Sequence, residues 1–165
     1  MRRLILLASI LVLSACGAVL PDTFTEADLP DPGALSQEWG CGSGFWLSDR
    51  DQSVALQLAY TGEGSPPATN DLPSPLWDAR LIVGTDLYAN WCDDVIETDE
   101  PTPVEHWVLP VVGGRIEVEG EAPEPFSGGE LRFTAEDLVV ELPDGTQVAW
   151  GDVAGRNPNW GFMAG

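Results

Sequence analysis

The chain has 165 residues, of which 44% are hydrophobic and 21% are charged, and its formal net charge is −20. All seven residues counted as lysine or arginine are arginines, and they stand against 27 acidic residues. Because nucleic-acid binding depends on basic side chains that neutralise phosphates, this balance excludes a nucleic-acid-binding function.

Residues 1–15 have the parts of a secretory signal peptide: a positive start, an apolar run, and small residues before a cleavage point. Arg2 and Arg3 supply the charge, and residues 4–13 supply the apolar run. The run ends in Leu-Ser-Ala-Cys at residues 13–16, which resembles the lipobox of bacterial lipoproteins.

The resemblance implies that the Cys16 thiol carries diacylglycerol and that the peptide bond before Cys16 is cut. The mature chain would be anchored on the outer face of a bacterial membrane, at the cell surface or in the periplasm, since two acyl chains on one residue anchor stably. The alternative is an uncleaved signal anchor, because uncharged sequence continues to Pro21 and approaches the length of a span. Gly17 and Pro21 interrupt the apolar run and favour the lipobox.

Removal of the signal leaves 27 acidic side chains against five arginines, a net charge of −22. Anionic head groups repel such a chain, so its membrane association must come from the lipid. We interpret the acidity as a solubility feature. A surface that collects divalent cations is the alternative.

Residues 16–36 are predicted to form a flexible, lipid-anchored tether, because they are rich in proline and acidic residues and show no apolar pattern. Residues 37–165 have a suitable length for a single domain. Cys41 and Cys92 remain once Cys16 is assigned to lipid, and an even number of cysteines in an oxidising compartment predicts one disulfide.

Apolar residues in the domain recur with a period of two, which is typical of half-buried antiparallel strands. The pattern is present at residues 54–60, 115–119, 130–134 and 138–142. Glycine pairs at 113–114 and 128–129 lie between such runs and indicate turns. Pro-Asp-Gly at 143–145 predicts a hairpin.

Short strands at this spacing predict an all-β fold, either a sandwich or a barrel, and we expect an antiparallel β-sandwich. The spacing of Cys41 and Cys92 is close to that of immunoglobulin domains. However, Asn90 stands where that family places a tyrosine, and Trp46 follows Cys41 by only five residues. The sandwich is therefore immunoglobulin-like in general architecture at most.

The sequence contains no evident catalytic constellation. His106 is the only histidine and lies in a predicted strand, where it is expected to be a surface or core residue. Neither Gly-x-Ser-x-Gly nor Ser-x-x-Lys is present. The 27 acidic residues are too many for spacing to nominate a hydrolase pair, so an acid-dependent hydrolase is the least favoured interpretation.

Two acidic clusters are candidates for a calcium site. Asp49 and Asp51 place oxygens at alternate positions, as a calcium loop would, without the glycine and glutamate of an EF-hand. Asp93 and Asp94 come directly after Cys92, and a disulfide to Cys41 would place both clusters near one end of the domain. The simpler interpretation is two solvated acidic loops and no cofactor.

Most of the seven tryptophans are expected in the core, where each ring buries a large area. Trp91 and Trp160 have Asn and Asp neighbours and are candidates for exposed platforms that bind carbohydrate. The sequence thus predicts a non-enzymatic, lipid-anchored envelope module with a structural or binding role, whose partner is an envelope protein or a glycan. A surface lipoprotein that binds carbohydrate or calcium is the alternative.

Overall fold

The computed structural model describes residues 23–87, 101–120 and 128–161, and these residues confirm the predicted all-β class. Eight strands are present in these ranges: β1 (Gln37–Trp39), β2 (Gly44–Ser48), β3 (Val54–Tyr60), β4 (Thr69–Leu72), β5 (Trp77–Thr85), β6 (Val104–Glu119), β7 (Gly129–Glu141) and β8 (Gln147–Trp160). Two 3₁₀ turns, Glu26–Asp28 and Pro32–Ala34, precede β1. No helix in the described part of the chain has the length and apolarity to cross a bilayer.

The strands form one continuous antiparallel sheet rather than the two separate sheets expected of a sandwich. Their order is β1-β2-β3-β5-β6-β7-β8, and β4 pairs with β6 outside this path. Strand β6 belongs to both halves of the sheet, because residues 104–110 pair with β5 and residues 111–119 pair with β7. This meander of the described strands differs from the Greek-key connections of an immunoglobulin domain.

Strand β6 changes its phase of alternation midway. Leu109 and Val111 are buried before the change, and Ile116 and Val118 are buried after it. The change falls at the glycine pair 113–114, where the register with β7 shifts in a β-bulge. The turn predicted at this pair is therefore a bend within one strand, since a bulge adds an unpaired residue without ending the strand.

Strand β7 contains a second bulge, between Ala135 and Leu138. Asp137 lies in the bulge with φ of 51°, and its N–H donates a hydrogen bond of 2.8 Å to the Asp152 carboxylate. The bulge joins the two apolar runs predicted at 130–134 and 138–142 into a single strand. The predicted hairpin at 143–145 connects β7 to β8 and is confirmed by their pairing.

The bends curl the sheet so that β2 lies against β7. The ring centroid of Phe45 is 4.6 Å from that of Phe133, and both rings are buried. Gly155 of β8 permits this approach, because a Cβ at this position would lie only 2.6 Å from Cδ2 of Leu47. The core of the fold thus lies inside the curl.

Residues 23–36, which we call the N-terminal strap, pack on the domain. Phe24 is 6% exposed, and its ring centroid is 5.7 Å from that of Trp107 in β6. Farther along the strap, the carbonyl of Pro30 accepts a hydrogen bond of 2.7 Å from the indole N–H of Trp150 in β8.

The packing of the strap corrects the prediction that the chain is a flexible tether as far as residue 36. Its apolar side chains, Phe24, Leu29 and Leu35, all pack against the main core. They are too few to form a periodic pattern, and for this reason the sequence indicated a flexible segment. The part of the predicted tether before Thr23 lies outside the described residues.

We expect Phe24→Ala to lower the free energy of unfolding by about 3 kcal/mol, because it removes a buried aromatic ring from the core. Chemical denaturation followed by tryptophan fluorescence measures this change. Glu26→Gln, at an exposed position of the same strap, should change stability by less than about 0.5 kcal/mol. Equal stability of the two variants would show that the strap is not part of the core.

Candidate functional site

A polar groove of about 460 Å³ lies where β8 approaches β1. It is lined by Glu38, Glu119, Arg132, Phe133, Thr134, Ala154, Gly155 and Arg156. Alternate residues of neighbouring antiparallel strands share one face, and the register places Arg132 opposite both Glu119 and Arg156. The groove is therefore part of the exposed face of the β6–β7–β8 half of the sheet.

Arg132 and Arg156 face each other across β7 and β8, which places like charges side by side. Such pairs destabilise a sheet, but Glu130 compensates by contacting both arginines. Its Oε1 atom is 2.9 Å from Nη2 of Arg132, and its Oε2 atom is 3.1 Å from Nη1 of Arg156. Arg156 also donates a hydrogen bond of 2.8 Å from Nε to Oε2 of Glu38.

These contacts shift the pKa values of the groups involved. The hydrogen bond from Arg132 is the main cause of a lowered pKa of Glu130, and the contacts with Arg156 add to it. The hydrogen bond to Glu38 is the main cause of a raised pKa of Arg156. Because the side chains are exposed, the pairs contribute little to stability; they hold the guanidinium groups in one orientation.

Asn157 fastens β8 to the first residue of β2, at the seam between β8 and the β1–β2 hairpin. Its side chain is fully buried; Nδ2 donates to the Gly44 carbonyl at 2.6 Å, and Oδ1 accepts from the Asn159 N–H at 2.7 Å. Gly40 leaves room for the amide, because a Cβ there would lie 2.3 Å from Cγ of Asn157. The buried amide thus fixes β8 against the start of β2 by hydrogen bonds.

The groove can bind a ligand through hydrogen bonds. It presents guanidinium donors, carboxylate acceptors and the Thr134 hydroxyl on one face. Because each of its two arginines is paired with a carboxylate, a polar ligand that uses both kinds of group fits better than a simple ion.

The groove residues form no motif in the sequence and were not predicted from it. Arg132 and Arg156 are 24 positions apart, and only the register of β7 and β8 brings them together. The scarcity of basic residues could have indicated the groove, since the groove holds two of the five arginines that follow Cys16.

The predicted calcium residues are only partly within the described chain. Asp49 uses both carboxylate oxygens to close the β2–β3 loop: Oδ1 accepts from the N–H groups of Ser53 and Val54, and Oδ2 accepts from the Ser53 hydroxyl. Asp51 is exposed beside it. Asp93 and Asp94 lie outside the described residues, and no group of three metal-ligating side chains is present in the described ranges.

The prediction that Trp160 forms an exposed platform was wrong. Trp160 is 3% exposed, and its ring centroid lies 5.0 Å from that of Phe45. The neighbouring Asn157 and Asn159, which suggested a ligand site, instead hydrogen-bond to each other at the seam. Trp91, the other candidate, lies outside the described residues.

Cys41 is disulfide-bonded. Cys16 and Cys92 lie outside the described residues, so the pairing of Cys41 with Cys92 stays a prediction. His106 is exposed on β6, in agreement with one of the two places expected for it.

Comparisons with known proteins found no match to a family model, to a curated protein or to a solved structure.

We expect Asn157→Ala to destabilise the fold by about 1–3 kcal/mol, because the Gly44 carbonyl would lose its buried hydrogen-bond donor. Asn159→Ala is the matched control, since this variant keeps the backbone N–H that donates a hydrogen bond to Oδ1 of Asn157. Thermal or chemical unfolding of both variants tests the seam. A loss of the same size in each would contradict the role assigned to the Asn157 amide.

Arg132→Gln should raise the pKa of Glu130 towards its ordinary value, because the variant lacks the charged hydrogen-bond donor. As the pH falls through the lowered pKa of Glu130 in the native protein, its contacts with both arginines are lost. NMR titration of the side-chain carboxyl measures the change. Arg115→Gln removes an arginine that pairs with Glu117 instead and should leave the pKa of Glu130 unchanged; a shift of the same size there would refute the assignment.

Proposed function

We propose that the chain is a lipid-anchored module of the bacterial envelope that acts by binding and not by catalysis. The observation that carries the proposal is the Leu-Ser-Ala-Cys sequence at residues 13–16, which follows a positive start and an apolar run. Its resemblance to a lipobox implies that Cys16 is lipidated and becomes the first residue of the mature protein.

The oxidised state of Cys41 supports an extracytoplasmic location. Cys41 is disulfide-bonded, and stable disulfides form in oxidising compartments such as the periplasm and the cell surface. A chain that is exported by its signal sequence reaches such a compartment.

The groove supports a binding role. Its charged side chains are oriented by ion pairs at 2.8–3.1 Å. Groups that are oriented before binding favour recognition, because less side-chain entropy is lost when a ligand binds.

The net charge of −22 after Cys16 is compatible with an anchored protein only if the lipid supplies the attraction, because anionic head groups repel acidic surfaces. Two acyl chains on Cys16 meet this requirement. The acidic surface then keeps the domain soluble above the bilayer.

Expression in a bacterium with an alkyne-bearing fatty acid tests the anchor. The wild-type chain should incorporate the label and lose residues 1–15, and Cys16→Ser should remain unlabelled and uncleaved, because the variant lacks the thiol that accepts the lipid. Intact mass and in-gel fluorescence measure both properties. Ser9→Ala, inside the apolar run, should behave like the wild type. An unlabelled wild-type chain that retains residues 1–15 would instead identify a signal anchor and overturn the proposal.

A further inference from the structure

The proposed anchor is attached to the domain through a short linker. Six residues separate Cys16 from Thr23, the first residue of the N-terminal strap. Six residues and the bonds to their two neighbours span at most about 25 Å, whatever their conformation. A domain of about 140 residues has a diameter of roughly 35 Å. Because the linker is shorter than the domain, the side on which the strap begins cannot be the side farthest from the membrane.

The strap begins beside the first part of β6. The ring of Phe24 packs on that of Trp107 with an interplanar angle of 49°, and Phe24 is buried in the main core. The strap is held again at Pro30, whose carbonyl accepts the hydrogen bond from Trp150. The start of the strap is therefore fixed on β6, and the proposed anchor is connected to the domain at this position.

The same part of β6 carries exposed apolar side chains. Val104 is 45% exposed and Val108 is 43% exposed, and they flank Trp107 along the strand. No other large hydrophobic side chain in the described ranges is as exposed. Single exposed hydrophobic residues are ordinary, but these two lie near the start of the strap, which the linker keeps within about 25 Å of the proposed anchor.

We infer that the segment from Val104 to Val108 of β6 is the membrane-facing surface of the domain and rests on the lipid head groups. This inference rests on the proposed lipid anchor at Cys16. The exposed Glu105 in the segment favours a zwitterionic lipid surface over an anionic one. The polar groove, which includes the distant end of β6 at Glu119, is left open to partners in solution.

Photo-crosslinking in vesicles tests the orientation. The photoreactive amino acid p-benzoylphenylalanine replaces Val104 or Val108 in the full lipidated chain, and Glu119, which is exposed at the other end of the same strand, is the matched control position. The purified chains are reconstituted in phosphatidylcholine vesicles, floated on a density gradient, irradiated and analysed for lipid adducts by mass spectrometry. We expect at least five times more lipid adduct from positions 104 and 108 than from position 119.

The outcomes separate this inference from the proposed function. Wild-type chain that does not float with the vesicles would overturn the anchor, and the inference with it. Chain that floats but gives equal lipid adduct at positions 104 and 119 would overturn the orientation alone. Adducts at positions 104 and 108 to a second copy of the chain, in place of lipid, would also overturn it, because they would identify this surface as a protein contact.

Discussion

The contact between Phe45 of β2 and Phe133 of β7 depends on the curl of the sheet, and most other features of the molecule depend on the same curl. Two bulges, at residues 113–114 of β6 and at Asp137 of β7, change the phase of the strands and bend them over the core. Each aromatic ring buries roughly 150–250 Å² when it is enclosed. A flat meander would leave these rings exposed on one face, so the bends are needed for a stable domain.

Strand pairing does not close the curled sheet along its whole length. Two places remain, and different contacts close each of them. Where β8 meets β1 and β2, the buried amide of Asn157 connects β8 to β2 and the ion pair of Arg156 with Glu38 connects β8 to β1; the polar groove lies beside them. Elsewhere, the N-terminal strap crosses from Trp107 to Trp150 and packs Phe24 against the core. The groove and the strap are therefore both consequences of the same bend.

The strap links the proposed anchor directly to the core. A long flexible tether would let the domain tumble freely above the bilayer, whereas a strap fixed at Phe24 restricts its orientation. In this arrangement the groove and the proposed lipid-facing segment lie at different ends of β6. In the proposed arrangement, the groove would face a soluble or envelope partner while the lipid on Cys16 keeps the domain at the membrane.

The sequence by itself determined the strand at 54–60, the hairpin at 143–145, the all-β class and the lipobox resemblance at Cys16, because these are encoded by neighbouring residues. It did not determine that the glycine pair at 113–114 is a bulge, that Trp160 is buried, or that the segment up to residue 36 packs on the domain. Glycine permits a turn and a bulge equally well, and an aromatic ring beside polar residues suits both a core and a platform. Only contacts with residues far along the chain choose between such states, and those contacts exist only in the folded protein.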